Sequence, residues 1–208
     1  MEKMKIAVIG CGKIANGAHL PALSVMPDVE IKYAVDLIGE RAGAAKEKYG
    51  AIETAGDYKI ALEDREVEAV FVLTPNYSHY TISMDALRAG KHVFCEKPIT
   101  NNYALSKEMA EEAKKRNRVL NIGVCNRYHK SVELIKAYVE KGKLGELYHI
   151  YCSFRSFRSI PGLGGAFTSK EKSGGGVLID WGIHFLDLIL YITGVKIRTV
   201  SANTYNKL

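Results

Sequence analysis

Cysteine is scarce in this sequence, and the few cysteines are poorly spaced for a metal site or a disulfide framework. The 208 residues include four, Cys11, Cys95, Cys125 and Cys152, and no two of them form a Cys-x-x-Cys pair. Unpaired thiols persist in a reducing compartment. The sequence therefore predicts a cytoplasmic protein without a metal centre.

Long apolar runs, repeats and low-complexity segments are missing as well. The N-terminal MEKMKIAVIG leads into an apolar run that is too short for the core of a signal peptide. No run approaches the roughly 18 residues that a membrane-spanning helix needs. From these absences we expect no membrane partner.

A strong excess of one charge is also lacking. Lys and Arg number 29 against 23 Asp and Glu, which gives a formal net charge of +6. A basic surface can attract nucleic acid or an anionic ligand. Here the basic residues alternate with glutamates, as in residues 108–118, which is typical of solvated helix faces. We therefore expect no nucleic-acid partner.

Apolar residues are abundant, at 47% of the chain, and they are arranged in short runs. Runs rich in β-branched residues predict strands that are covered on both faces. They lie at 5–10, 31–36, 69–74, 92–96 and 119–124. Helical segments are predicted between them, at 40–49, 78–89 and 101–116.

The ends of these helices carry recognisable signals. Gly50 and Gly90 follow the first two, where helices commonly end in a left-handed residue. Asn101 is a good N-cap for the third. Alternating strands and helices predict a parallel sheet with right-handed crossovers. We assign 1–124 to a doubly wound α/β domain of the Rossmann type and 125–208 to a second domain.

The turn after the first strand predicts a dinucleotide site. Residues 10–15, GCGKIA, form the GxGxxA variant of the glycine fingerprint. Gly10 allows a tight turn, and Gly12 lets the backbone approach a pyrophosphate. The phosphates would bind at the helix N-terminus that begins with Lys13 and Ile14. An ordinary strand–helix turn is the alternative.

Asp36 strengthens this prediction. It ends the second strand, about 20 residues after the fingerprint, where a carboxylate accepts hydrogen bonds from the adenosine ribose. Its charge would repel a 2′-phosphate, so we predict NAD rather than NADP, although the nearby Arg41 could accommodate a phosphate. Thr74 and Asn76 end another strand at the carboxyl edge of the sheet, where ligands bind. A proline turn with a helix cap is the alternative there.

Several segments occur in an order that is typical of one family. They are residues 10–15, Asp36, Thr74-Pro75-Asn76 with His79, AGKHVFCEKP at 89–98, Asn126-Arg127, and Asp180 with His184. On these residues the chain resembles the glucose-fructose oxidoreductase, inositol dehydrogenase and rhizopine catabolism family (Gfo/Idh/MocA). AGKHVFCEKP is the most specific element.

The resemblance implies an NAD-dependent oxidoreductase that acts on a sugar, cyclitol or related polyol. It adds contacts to NAD from His79, Glu96, Lys97 and Asn126, and a cis peptide bond between Lys97 and Pro98. It also places Lys97 and Arg127 at the substrate. A lysine that extends from the sheet edge into solvent is the alternative for Lys97.

The resemblance further implies a second domain with an open, mostly antiparallel sheet that forms the substrate wall. Candidate strands lie at 148–157 and 196–205. Because family members are usually longer, it implies a chain truncated at its C-terminal end. The second domain would then be an incomplete α+β domain, and we expect a homo-oligomer if that domain is complete enough.

Asp180 and His184 interrupt the apolar run GGGVLIDWGIH at 174–184. Four residues apart, they share a face of a helix. The residues alone allow a satisfied polar pair, a metal site that lacks further ligands, or a triple-glycine hinge. Together with Lys97 and the fingerprint they favour catalysis. His184 would act as general base, Asp180 would orient it, and Lys97 would favour the developing alkoxide.

Three further residues are candidates for substrate contacts. Arg155 and Arg158 precede a glycine-rich loop at 159–173, of the kind that often shapes a pocket. One interpretation is that they contact a polyhydroxylated or acidic substrate, and the alternative is that they are surface arginines. Trp181 stacks on a sugar, or it packs in the core.

Two other functions stay open at this level. A non-catalytic NAD-binding sensor or corepressor would not need Lys97, Asp180 and His184. An NAD-dependent glycosidase would use the same residues, with transient oxidation that assists elimination at the sugar.

Overall fold

A six-stranded parallel sheet forms the centre of the N-terminal part of the chain. The computed structural model describes residues 2–155 and 168–203. The strands, β1 to β6 in chain order, are Met4–Ile9, Val29–Val35, Glu53–Ala55, Ala69–Val72, His92–Cys95 and Leu120–Ile122. Their order in the sheet is β3-β2-β1-β4-β5-β6, and every neighbouring pair runs parallel. This is the order of a Rossmann fold, as predicted.

Helices connect these strands and continue beyond the sheet. The α-helices, α1 to α8, are Leu20–Leu23, Gly39–Tyr49, Tyr58–Glu63, Asn76–Arg88, Tyr103–Arg116, Lys130–Glu140, Lys170–Ser173 and Ile183–Thr193. A π-helical turn, Ala15–His19, leads into α1, and a second, Leu178–Gly182, leads into α8. A 3₁₀ helix, Cys125–Tyr128, precedes α6.

The apolar strands are buried on both faces, which explains their nearly continuous hydrophobicity. Along β1, Ile6 and Val8 belong to one buried cluster, while Ala7 and Ile9 belong to the other. Successive side chains of a strand point to opposite faces. The two clusters are therefore the two layers between the sheet and its covering helices.

Two local predictions need correction. Asn102, not Asn101, caps α5, because its Oδ1 accepts from the N–H groups of Ala104 at 2.8 Å and Leu105 at 3.3 Å. The three-residue strand β3, in which only Ala55 is buried, was not predicted from the sequence. Gly50 and Gly90 adopt the predicted left-handed conformation, with φ of 74° and 78°.

The chain divides into two compact units. The first contains Met1–Gly123 and Ser159–Asp180, and the second contains Val124–Arg158 and Trp181–Leu208. The second unit begins at Val124, beside the predicted boundary, and the described segment 168–180 belongs to the first unit. Hydrogen bonds hold it there: the Asn76 side-chain amide donates to the carbonyl of Ser173 at 3.1 Å, and Lys97 donates to Asp180.

The described residues of the second unit contain helices but no strand. Residues 148–155 and 196–203 fall within the two predicted strands and lack the hydrogen bonds of a ladder. Residues 156–157 and 204–205 lie outside the described residues. An alternating pattern shows that a segment can pair, but a strand also needs a neighbour, and these two segments do not pair with each other. The predicted antiparallel sheet is therefore not confirmed.

One stretch among the described residues, Glu171–Thr193, has the length and composition of a membrane span. It has 23 residues, with a mean hydropathy of 1.5 in its most apolar window, and it contains α8. Asp180, His184 and Asp187 interrupt its apolar run, so the sequence did not predict a span. Membrane spans and apolar core helices share these properties. The absence of a membrane partner stays a prediction.

Candidate functional site

The glycine turn after β1 has a geometry that requires Gly10. Its φ is 95°, and a Cβ there would lie 2.7 Å from the carbonyl oxygen of Leu73, just beyond β4. A side chain would therefore force β1 and β4 apart. At Gly12, by contrast, a Cβ would meet no atom within 4 Å. The loop borders open space at the place where the sequence predicts a pyrophosphate.

The backbone around this space suits an anion. Lys13 and Ile14 begin the helical segment that leads into the π-helical turn. The first N–H groups of a helix have no acceptor within the helix, and they carry its positive dipole end. Gly12, Lys13 and Ile14 thus fit the diphosphate of a dinucleotide, as the fingerprint predicts.

Asp36 lies beside this loop and fixes it. Its Oδ2 accepts the Cys11 N–H at 2.9 Å, and its Oδ1 accepts the Ile38 N–H at 2.9 Å. Each carboxylate oxygen has a second lone pair, which leaves capacity for ribose hydroxyls. The Cys11 thiol is buried below the loop, and burial together with the Asp36 charge raises its pKa to about 11. Cys11 is therefore a packing residue of the loop.

Asn16 holds the same loop and was missed from the sequence. Its side-chain amide donates to the carbonyls of Cys11 at 2.8 Å and Gly12 at 3.0 Å. These two hydrogen bonds fix the orientation of the loop carbonyls. The fingerprint pattern leaves this position unspecified, so the sequence offered no signal for it.

The turn after β4 is held by His79. Its Nε2 lies 2.8 Å from the carbonyl oxygen of Thr74, and its Nδ1 lies 2.8 Å from that of Pro98. The residue has 0% exposed surface. His79 therefore joins the two turns from within, which replaces the predicted direct contact with the cofactor. Asn76, the first residue of α4, donates to Ser173 and so fixes the segment before Asp180.

Glu96 and Lys97 follow β5 at the same sheet edge. Glu96 Oε1 lies 2.7 Å from His19 Nε2, and Glu96 Oε2 accepts the Lys97 N–H at 3.1 Å. The Lys97–Pro98 bond is cis, as the family resemblance implies. His19 was also missed from the sequence, because no motif links it to Glu96 across 77 positions.

Lys97 and Asp180, two of the three predicted catalytic residues, are in contact. Lys97 Nζ donates to the Asp180 carbonyl oxygen at 2.7 Å and to its Oδ1 at 3.0 Å. The Lys97 side chain is 19% exposed, and that of Asp180 is 29% exposed. The carboxylate offsets the cost of removing an ammonium group from water. A lysine that only extends into solvent does not explain this geometry.

The triple glycine before Asp180 has different surroundings at its first and last positions. Gly174 has a φ of 78°, a left-handed conformation that favours glycine, and a Cβ there would lie 1.8 Å from the Asn101 side-chain nitrogen. At Gly176 a Cβ would meet no atom within 4 Å. Gly174 therefore lies against the turn after Lys97.

His184 and Trp181 belong to the second unit. The His184 ring is 8% exposed, and its centroid lies 5.8 Å from that of Trp181. Trp181 stacks on Phe154 at 4.7 Å with an interplanar angle of 12°. Among the described residues, Trp181 therefore packs against another aromatic side chain. Stacking on a sugar stays a prediction.

Arg127 of the second unit is held by α8. Its Nε donates to Asp187 Oδ2 at 2.7 Å, a second nitrogen donates to Asp187 Oδ1, and the guanidinium lies 4.9 Å from the Tyr191 ring centroid. Asp187 raises the pKa of this guanidinium. The structure thus gives Arg127 a positioning role, and its substrate contact stays a prediction. Asn126 lies beside it on the 3₁₀ helix.

The remaining candidates add little. Arg155 is exposed, while Arg158 and residues 159–167 of the predicted loop lie outside the described residues. Within residues 2–155 and 168–203, no three His, Cys, Asp or Glu side chains converge as metal ligands.

Comparison with known families covers both parts of the chain. A family model described as "Oxidoreductase family, NAD-binding Rossmann fold" matches residues 4–124. The "GFO/IDH/MocA C-terminal domain" matches residues 132–208. The first match includes the glycine fingerprint, and it also includes Asp36, Glu96 and Lys97.

Two curated relatives have assigned activities. The chain is 34% identical to the D-glucoside 3-dehydrogenase of Escherichia coli (strain K12), with 99% of this chain and 58% of that protein covered. It is 32% identical to the myo-inositol 2-dehydrogenase of Thermotoga maritima, with 96% and 58% covered. The chain thus spans less than two thirds of the length of these relatives.

A solved structure extends the likeness to three dimensions. GenD2 from gentamicin A biosynthesis, in complex with NAD, superposes with a TM-score of 0.80 at 25% identity, covering 93% of this chain and 54% of that one. The matched models, the strand order and the Gly10–Asp36 geometry agree with one another. The chain therefore belongs to the Gfo/Idh/MocA family of oxidoreductases, and its N-terminal part is an NAD-binding Rossmann domain.

Proposed function

We propose that the chain carries the cofactor site and the proton-handling residues of an NAD-dependent dehydrogenase that acts on a sugar, cyclitol or related polyol. The observation that carries this proposal is the Lys97–Asp180 contact at the fingerprint edge of the sheet. A cation that is held by a carboxylate beside a dinucleotide site suits a reaction in which an alkoxide develops. The activities of the two curated relatives support the substrate class.

NAD is the proposed cofactor, in preference to NADP. Gly12 and the helix start at Lys13 and Ile14 would hold the diphosphate, and Asp36 would accept the adenosine ribose hydroxyls. Asp36 would also repel a 2′-phosphate. Thr74, Asn76, Glu96 and Asn126 complete the proposed contacts. When bound, NAD supplies the hydride acceptor.

The side chains have distinct proposed tasks. Lys97 donates a hydrogen bond to the reacting hydroxyl and stabilises negative charge on its oxygen as the hydroxyl proton leaves. His184 accepts that proton, since an imidazole exchanges protons near neutral pH. Asp180 keeps the Lys97 ammonium in place and lies four residues before His184 on the continuous helical segment. Arg127, Arg155, Arg158 and Trp181 remain proposed substrate contacts.

Turnover on a panel of sugars and cyclitols tests the proposal. The protein with NAD and each compound should produce the absorbance of reduced nicotinamide on at least one member. His184→Ala should keep its NAD affinity and lower turnover by about 10²-fold or more. His149→Ala, an exposed histidine of the same unit, is the matched control.

Two results would favour the alternative functions, a sensor or a glycosidase, over a dehydrogenase. NAD binding without turnover on any compound would indicate a sensor or corepressor. Release of an aglycone from a glycoside without net reduced cofactor would indicate the glycosidase. Turnover that is unaffected by His184→Ala would remove His184 from the mechanism.

The cellular location and the oligomeric state of the protein are also proposals. We propose a cytoplasmic location, since all four cysteines are free thiols. A homo-oligomer that forms through the second domain is proposed on the family relationship, and sedimentation of the protein would measure it.

A further inference from the structure

We infer that His19 is a positioning residue, which holds the Glu96 carboxylate and through it the Lys97 turn. This inference rests on the proposed function for its catalytic consequence, but not for its structural part. His19 ends the π-helical turn that follows the glycine fingerprint. Its Nε2 lies 2.7 Å from Glu96 Oε1, and the side chains are 17% and 13% exposed.

Aromatic neighbours hold the His19 ring in place. The ring meets Phe94 of β5 edge-on, with centroids 5.1 Å apart, and it meets Phe71 of β4 at 6.4 Å. The two phenylalanines stack on each other at 5.0 Å. Edge-to-face contacts of this kind are favourable and directional. The ring therefore has a defined orientation, with Nε2 directed at the carboxylate.

Glu96 is held on its other sides as well. An ionised carboxylate only accepts hydrogen bonds, so Nε2 is the donor in the contact with His19. The second oxygen accepts the Lys97 N–H. The carboxylate also packs against Gly123, where a Cβ would lie 2.9 Å from Oε1. Of these three contacts, the one from His19 is made by a side chain, so a substitution at His19 can remove it.

The contacts form a continuous chain within the first unit. It runs from His19 to Glu96, from Glu96 to the Lys97 backbone, and from Lys97 Nζ to Asp180. Asn16, on the same π-helical turn, holds the carbonyls of the glycine loop. One turn of helix therefore fixes both the cofactor loop and the lysine turn. π-helical turns occur frequently at functional sites.

A pair of amide substitutions tests this inference. The Gln side-chain nitrogen can occupy the place of Nε2, whereas the Asn nitrogen corresponds to Nδ1 and does not reach Glu96. His19→Gln should therefore retain the contact, and His19→Asn should lose it. His149→Asn is the control, because His149 is exposed in the other unit.

The first readout is the backbone amide of Lys97, measured by NMR in the whole chain without any substrate. In His19→Asn the carboxylate is released, so the amide proton should shift upfield and exchange about tenfold faster. His19→Gln and His149→Asn should match the wild type. An unchanged amide in His19→Asn, or equal changes in both His19 variants, would overturn the inference. If neither His19 variant folds, Glu96→Gln replaces them. Its side chain has one acceptor oxygen, so an oxygen that is held by His19 cannot also accept the Lys97 N–H, and the Lys97 amide proton should shift upfield. An unshifted Lys97 amide in Glu96→Gln would overturn the inference.

The second readout is turnover with NAD and a polyol. His19→Asn should lower kcat about tenfold at saturating NAD, since Lys97 is misplaced. His19→Gln should restore kcat. A wild type without turnover would refute the proposed function and leave the amide result to decide the inference. An unchanged kcat in an active His19→Asn would refute the positioning role.

Discussion

Asp36 is the residue on which the proposed choice of NAD over NADP depends. Its two oxygens each accept a backbone N–H, one from Cys11 in the glycine loop and one from Ile38. The same carboxylate therefore fixes the loop and places a negative charge beside the expected ribose. An asparagine at this position would remove the charge and keep one of the two acceptor oxygens.

Asp36→Asn should shift the preference from NAD towards NADP. Removing one charge at close range favours the 2′-phosphate, so the ratio of NADP to NAD affinity should rise about tenfold. Calorimetric titration with both nucleotides measures it. Asp28→Asn, an exposed aspartate before β2, is the control. An unaltered ratio would contradict the ribose role of Asp36.

Residues of the site differ in how far the sequence predicts them. Gly10, Asp36 and Lys97 were predicted because fixed spacing from a strand links each to its task. His19 and Asn16 were not, because their partners depend on how a π-helical turn directs side chains. The direct cofactor contact of His79 was predicted from a motif position, but burial shows that it joins two turns instead.

At the scale of elements, a polar cluster ties several parts of the first unit together near the start of β2. Lys32 Nζ pairs with Asp64 and Glu66, both at 2.5 Å, and the Tyr33 hydroxyl donates to Asp64 at 3.1 Å. Lys91, which precedes β5, is buried and donates to the carbonyls of Asp64 at 2.6 Å and Val67 at 2.7 Å. Burial lowers the pKa of Lys91.

Asp64 should make stability depend on acid pH. Lys32 holds the pKa of the Asp64 carboxyl below its ordinary value of 3.8. The ionised Asp64 carboxylate therefore stabilises the folded state fully above about pH 4. This stabilisation is lost as the pH falls through the folded-state pKa of Asp64. Asp64→Asn lacks this contribution at every pH. Urea unfolding measures this. At pH 7 the free energy of unfolding of the wild type should exceed that of Asp64→Asn, and the difference between the two should narrow from about pH 4 towards pH 2.

The matched control is Glu47→Gln, on the exposed face of α2. It should unfold like the wild type across the same range. A difference between wild type and Asp64→Asn that is constant with pH would show that the Lys32 pair does not stabilise the folded state through charge.

Elements were predictable where a local signal was strong. Helices α2 and α4 were predicted with a glycine after each end, and strands β1, β2, β4, β5 and β6 were predicted from nearly continuous apolar runs. The three-residue β3 was missed, and so was the one-residue shift of the α5 cap. In the second unit, alternation at 148–157 predicted a strand, but the described part of that segment has no hydrogen-bonded neighbour.

The whole molecule combines an NAD-binding part, matched at 4–124, with a part that matches the family's C-terminal domain at 132–208. The division into compact units is not sequential, because residues up to Asp180 return to the first unit. Sequence order suggested one boundary near residue 124. The return depends on hydrogen bonds from Asn76 and Lys97, which no local pattern reveals.

The proposed reaction transfers a hydride from a carbinol carbon to NAD at the site that contains Lys97. Deuterium labelling follows this step itself: the protein is mixed with NAD and with sugars and cyclitols deuterated at their carbinol carbons, and the reduced cofactor is analysed by mass spectrometry. We expect one deuterium in the cofactor from at least one compound, and none with Lys97→Met, although that variant binds NAD. Bound NAD without deuterium from any compound, or transfer that is undiminished in Lys97→Met, would refute the proposed hydride transfer.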